Sequence, residues 1–278
     1  AANDAFELVE TISVGSPVWS VWADAEYLYG GAGDGRIYIW ERGEEGFSFK
    51  ESVGGTNPGN IYGIRSLADP FYLSLYGASE DGNIYAWDYN IRDDRFTPVA
   101  VLDEGQSLMY SLAADDDLIA GSNNDGRIYL WSSADFSLQT VLNRREGPML
   151  SVWIDDSYIY GGDAAGNLYL WDRSSREPIS SFTAATGIIW SLAADNSYLY
   201  AGSSQPGLTV WSKADFSLET RIVSPEESIG SVASDNRKYF YGAGSGGSLY
   251  VWRRADFVPK AVLESGSSSL NSIFADPY

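Results

Sequence analysis

The chain has 278 residues, no cysteine, no histidine and a formal charge of −20. That charge disfavours nucleic acid and anionic lipid as partners. The two missing residue types exclude disulfides, Ser-His-Asp and Cys-His machinery, and zinc sites built on His or Cys. No apolar run approaches the ~18 residues of a membrane-spanning helix.

In chain order, the start AANDAF has neither a signal-peptide apolar region nor an initiator Met, as in a processed protein or an excised piece. Residues 1–12, AANDAFELVETI, match segments that recur later behind tryptophans, such as Ser133–Leu142, Lys213–Ile222 and Arg254–Leu263. Each such segment reads as a fourth, outer strand. A repeating unit follows. It opens with a strand that ends in Asp, at Asp24, Asp69, Asp115, Asp155, Asp195 and Asp235. A hairpin comes next, first as YLYGGAGDGRIYIW at Tyr27–Trp40, where Asp34-Gly35 suits a tight two-residue turn. The hairpin returns five times, ending at Trp87, Trp131, Trp171, Trp211 and Trp252.

The closing tryptophans are 47, 44, 40, 40 and 41 residues apart. A period of about 40–45 residues with a hairpin in each unit is the signature of a propeller blade. The units run 18–54, 61–102, 109–142, 149–183, 188–223 and 229–263, without a linker between them. Residues 270–278, LNSIFADPY, read as an inner first strand that ends in Asp276. The prediction is therefore all-β: one propeller domain with six complete four-stranded blades and a composite, incomplete seventh. The N-terminal strand supplies its outer edge and the C-terminal strand its inner edge. Pairing the two ends protects strand edges that would otherwise aggregate. Three explanations fit the missing middle hairpin: a shortened fragment, a half-blade that packs anyway, or a gap filled by another chain through strand addition.

The units resemble WD40 repeats, through a Gly-x-x-x-Asp-Gly-x-Ile-Tyr-x-Trp core that is most complete at Gly30–Trp40, Gly77–Trp87 and Gly121–Trp131. More loosely they resemble quinoprotein-type propeller repeats. Trp-Asp itself occurs only at Trp87-Asp88 and Trp171-Asp172. Without histidine, the His–Asp–Ser–Trp hydrogen-bond network associated with WD40 blades cannot form. The resemblance implies a non-catalytic binding platform with no cofactor.

The charge pattern adds an environment. Arg outnumbers Lys 14 to 4 and Asp outnumbers Glu 23 to 15. High Asp with few Lys is similar to proteins of salt-loving microbes, so adaptation to high salt is expected, at a cell surface or in a salty medium. An ordinary acidic propeller is the alternative.

Each candidate site residue also has a plain structural role open to it. The residue before the recurring first-strand Ser is Trp19, Tyr110, Leu150, Trp190, Gly230 and Asn271 in turn, and Tyr62 fills the place in the second unit. By the resemblance, first strands line the axis, which gathers Trp19, Tyr62, Tyr110 and Trp190 at the channel mouth. There they serve either as a stacking surface for peptide or sugar or as inter-blade packing. Trp22, Trp153 and Phe274, three places on, alternate with Ala113, Ala193 and Ala233 and read as core filling. Asp34, Asp81 and Asp125 read as turn residues, and the strand-ending aspartates as turn caps. Adjacent acids such as Asp93-Asp94 and Asp115-Asp116-Asp117 sit in turns, and no carboxylate pair with divergent surroundings marks a glycosidase. The expected function is protein–protein interaction, with a lectin-like glycan-binding propeller as the alternative.

Overall fold

The computed structural model describes residues 6–55, 59–68, 72–105, 107–143, 147–183, 187–223, 226–266 and 269–275. Among these residues there is no helix, hence none long and apolar enough to cross a membrane. The strands form six four-stranded antiparallel sheets, each in simple chain order. Blade 1 covers 18–54, blade 2 61–102, blade 3 109–143, blade 4 149–183, blade 5 189–222 and blade 6 229–264. The first strands of successive blades pack side by side around a central channel. The molecule is a β-propeller.

The alternation along each hairpin explains the packing. In blade 1, Tyr29, Ile37 and Ile39 turn one way and pack on Ile61, Ile64 and Leu75 of blade 2. The tryptophan that ends each third strand packs backwards, Trp87 onto blade 1 and Trp171 onto blade 3. It also lies across its own second strand. A Cβ on Gly161 would stand 3.2 Å from the Trp171 ring and 2.9 Å from Ile128 of blade 3, so a glycine here, present in every blade but the fifth, where Ala201 stands, makes room for the indole.

The hairpin turn is one residue longer than predicted. In blade 1 it comprises Gly33, Asp34 and Gly35, closed by the Gly35 N–H donating to the Ala32 carbonyl at 3.3 Å. Only Gly35 has positive φ, at 78°, and Asp34 does not, which is the three-residue loop ending in a left-handed glycine rather than a two-residue type I′ turn. Asp34 serves the turn with its side chain: it accepts from the Arg36 N–H and from the Tyr38 hydroxyl. Asp81 does the same for Asn83 and Tyr85.

The strand-ending aspartates cap their turns. Asp155 accepts from the N–H groups of Ser157 and Tyr158, both at 2.9 Å, and from the Tyr160 hydroxyl at 2.8 Å. Three of them also hold a cation from the following blade: Arg173 on Asp115, Lys213 on Asp155 and Arg254 on Asp195. Each cation lies two residues after the repeat tryptophan. Asp69 and Asp276 lie outside the described residues.

The seventh blade does not form as a sheet among the described residues. Residues 6–14 and 269–275 are not strands. A first and a fourth strand stand roughly three strand spacings apart, about 14 Å, too far for hydrogen bonds without the hairpin between them. The C-terminal segment nevertheless takes the seventh inner place. The Ile273 N–H donates to Ser231 Oγ of blade 6, the Val21 N–H of blade 1 donates to Ser272 Oγ, and Asn271 Nδ2 donates to the Val18 carbonyl. Phe274 packs on Trp22 at 4.4 Å between ring centroids. The N-terminal segment crosses the same gap outside, with Phe6 on Tyr239 of blade 6 and Glu10 accepting from the Phe47 N–H of blade 1.

The missing hairpin leaves a mark on the flanking blades. Leu75, Ile119, Ile159, Leu199 and Phe240 are fully buried, while Leu28, at the same place in blade 1, is only half-buried. On the blade 6 side, Tyr241 and Leu249 are half-buried where their counterparts Tyr200 and Leu208 are buried.

Candidate functional site

The recurring first-strand serine, to which the sequence assigns no role, builds the channel wall. Ser20 Oγ donates to the Ile61 carbonyl and Ser151 Oγ to the Ile189 carbonyl. Ser111 Oγ accepts from Val152 N–H and Ser191 Oγ from Val232 N–H. Together with Ser231 and Ser272, these hydroxyls join neighbouring first strands around the ring. Among the described residues, only the junction of blades 2 and 3 lacks one. There Gly63 replaces serine, because a Cβ would come within 2.9 Å of Leu112.

This hoop holds the preceding residue of each strand at the channel mouth. All four predicted site residues, Trp19, Tyr62, Tyr110 and Trp190, line one central cavity of about 600 Å³. Trp19 and Tyr62 meet edge to face at 5.9 Å between centroids, and Tyr62 and Tyr110 are 6.3 Å apart, so blades 1 to 3 present a continuous aromatic arc. Trp190 stands apart from the arc, since the intervening place is held by the buried Leu150. Trp19 and Trp190 are 36% and 44% exposed, high values for indoles. The tyrosines are half-buried and fixed: Asn60 Nδ2 donates to the Tyr62 hydroxyl at 2.8 Å, and the Tyr110 hydroxyl donates to Asn124 Oδ1 at 3.0 Å. Burial, with the neighbouring Tyr62, pushes the Tyr110 phenol up, so it stays protonated at neutral pH.

Deeper in the channel the side chains change. Trp22, Trp153 and Phe274 pack as predicted, Trp22 against the core between blades 1 and 2 and Trp153 against that between blades 4 and 5. They also line the cavity. The equivalent place in blade 2 is Arg65, which the sequence reading passed over. Its guanidinium lies 4.2 Å from the Trp22 ring centroid and 5.4 Å from that of Trp153. The available signal was register: aligning the first strands puts a single cation in a series of aromatics and alanines. Trp22 Nε1 in turn donates to Ser66 Oγ, and Ser66 donates to Asp24, which fixes the indole under the guanidinium.

Comparison of the chain with protein-family models and with curated proteins gives no match. The channel mouth is a partly apolar concavity with exposed indoles at the rim and, among the described residues, Arg65, Asp24 and Asp116 as its charged lining, a surface suited to stacking and burial.

Proposed function

We propose that this propeller is a non-catalytic binding module whose contact face is the channel mouth. The observation that supports this most is convergence: four aromatic side chains from four different blades meet at one cavity, and two of them leave a third or more of their surface in water. A ring of sheets joined by short loops makes such a face rigid, so a ligand meets little ordering cost. The preferred partner is a protein that presents an extended or loop segment to the mouth, in keeping with the likeness to WD40 repeats. No cofactor is required by this reading. The acidic surface suits a high-salt setting, where screening makes association depend on the aromatic contacts rather than on charge.

The test is capture of a binding protein by the immobilised chain in molar salt, compared with Trp19→Ala and Trp190→Ala variants of unchanged melting temperature. Both variants should release the partner. Undiminished capture by the double variant would move the interface elsewhere on the ring.

A lectin-like reading has its own support, because the exposed indole of Trp190 is a flat platform of the kind on which sugar rings stack. Saturable fluorescence quenching by a small soluble oligosaccharide would select this reading, whereas a protein partner alone produces none.

A further inference from the structure

Arg65 is a cation without a carboxylate. The chain has 38 acidic side chains, and the inter-blade cations Arg173, Lys213 and Arg254 each hold an aspartate. Arg65 holds none among the described residues. Its hydrogen bond runs from Nη1 to the carbonyl of its own neighbour Ile64, at 2.8 Å, and its faces are taken up by Trp22 and Trp153. The remaining N–H donors open onto the cavity. Burial pushes the guanidinium down to about 10, so it keeps its charge at neutral pH. Arg65 is half-buried; a charge partly withdrawn from water without an anion is costly, and stacking on two rings offsets part of that cost. The opposite side of the channel is short: at this level blade 6 contributes only Ala233. Space therefore lies where a ligand could face the guanidinium.

We propose that Arg65 is the anion anchor of the channel, and that it takes the carboxylate of a ligand whose apolar body packs on Trp22, Trp153 and the rings of the mouth. This rests on the channel being the binding site proposed above and names the chemistry it selects. A planar guanidinium matches a carboxylate with two parallel N–H donors. A cavity of about 600 Å³ is in the range of small-ligand sites. Asp24 and Asp116 also line the cavity, and carboxylates at this short range oppose a dianion more than a monoanion even in salt, which favours carboxylate over phosphate.

The test uses three probes that share one ring: benzoate, benzamide and phenyl phosphate, titrated calorimetrically into the full chain at a fixed background of about 1 M sodium chloride. Benzoate should bind saturably and about tenfold or more tighter than benzamide. Arg65→Met should remove that preference, and Arg65→Lys should keep a weakened one. Ala233→Phe fills the open side with Arg65 in place and should abolish benzoate binding, which keeps the test decisive if Arg65→Met fails to fold. Equal binding of benzoate and benzamide, silence of the unmodified chain towards benzoate, or undiminished benzoate binding by Ala233→Phe would overturn the proposal. Phenyl phosphate binding tighter than benzoate would overturn the carboxylate assignment. Trp190→Ala separates the two readings: if it retains its macromolecular partner while the benzoate preference persists, the mouth fails as contact face and the anchor stands.

Discussion

Asp195 is fully shielded from water and still ionised. Burial pushes its carboxyl up, but Arg254, the Tyr200 hydroxyl and two backbone N–H groups outweigh burial and hold it below the ordinary aspartate value. Removing one partner of such a pair leaves the other uncompensated, so Asp195→Asn should cost about 3–5 kcal/mol in urea unfolding. Asp235 caps the equivalent turn in blade 6 but shows no ion pair among the described residues, and Asp235→Asn should cost about 1 kcal/mol. Acid should reveal the same pair. A carboxylate depressed in the folded state binds fewer protons than in the unfolded chain, so its contribution is complete above the ordinary value near 3.8 and fades as pH falls through and below it. The urea midpoint should therefore begin to drop as pH falls to about 4 and keep dropping below it, less steeply in Arg254→Gln, which lacks the ion-pair share of that contribution. The capping role was legible from the recurrence of Asp. The ion pair was not read, although a basic residue two places after Trp171, Trp211 and Trp252 is visible in the chain. Pairing across blades needs the ring geometry before such a spacing has meaning.

At the scale of the element, the hairpin and its tryptophan were readable because both obey short-range rules: alternation, turn residues and a bulky side chain over glycine. The turn was misjudged by one residue, because Asp-Gly suits both a two-residue loop and the end of a three-residue loop and only the backbone dihedrals separate them. The terminal half-blade was anticipated as two strands. What forms is an inner segment joined to its neighbours through Ser231 and Ser272 instead of through a ladder. Ser272→Ala orphans the Val21 N–H and should lower the melting temperature by about 2–4 °C for a loss near 1 kcal/mol. The half-filled wedge makes a second prediction. Leu199→Ala empties a fully packed site and should cost about 3 kcal/mol, whereas Leu28→Ala, at the matching place beside the wedge, should cost about 1 kcal/mol. Equal losses would mean that the flank of blade 1 is as well covered as the rest.

The whole molecule is a ring of six blades that carries a charge of −20 and has a channel lined by aromatic side chains with Arg65, Asp24 and Asp116. Repulsion among the surface carboxylates should relax as the screening length falls from about 10 Å near 0.1 M salt to about 3 Å at 1 M, so the melting temperature should rise over that range. A flat or falling response would contradict salt adaptation. That Trp19, Tyr62, Tyr110 and Trp190 line one cavity was legible as a series, because a repeat fixes which position faces the axis. Arg65 stands out only when the first strands are aligned, and its place in the series has no meaning until the rings of Trp22 and Trp153 close around it. The central claim is that ligands enter at the mouth, and the most direct measurement is tryptophan fluorescence titrated with a panel of oligosaccharides and extended peptides in molar salt, beside Trp190→Ala. A saturable change with at least one class of ligand, lost in the variant, is the predicted result. A saturable change that persists undiminished in Trp190→Ala, or no change with either class, would contradict it.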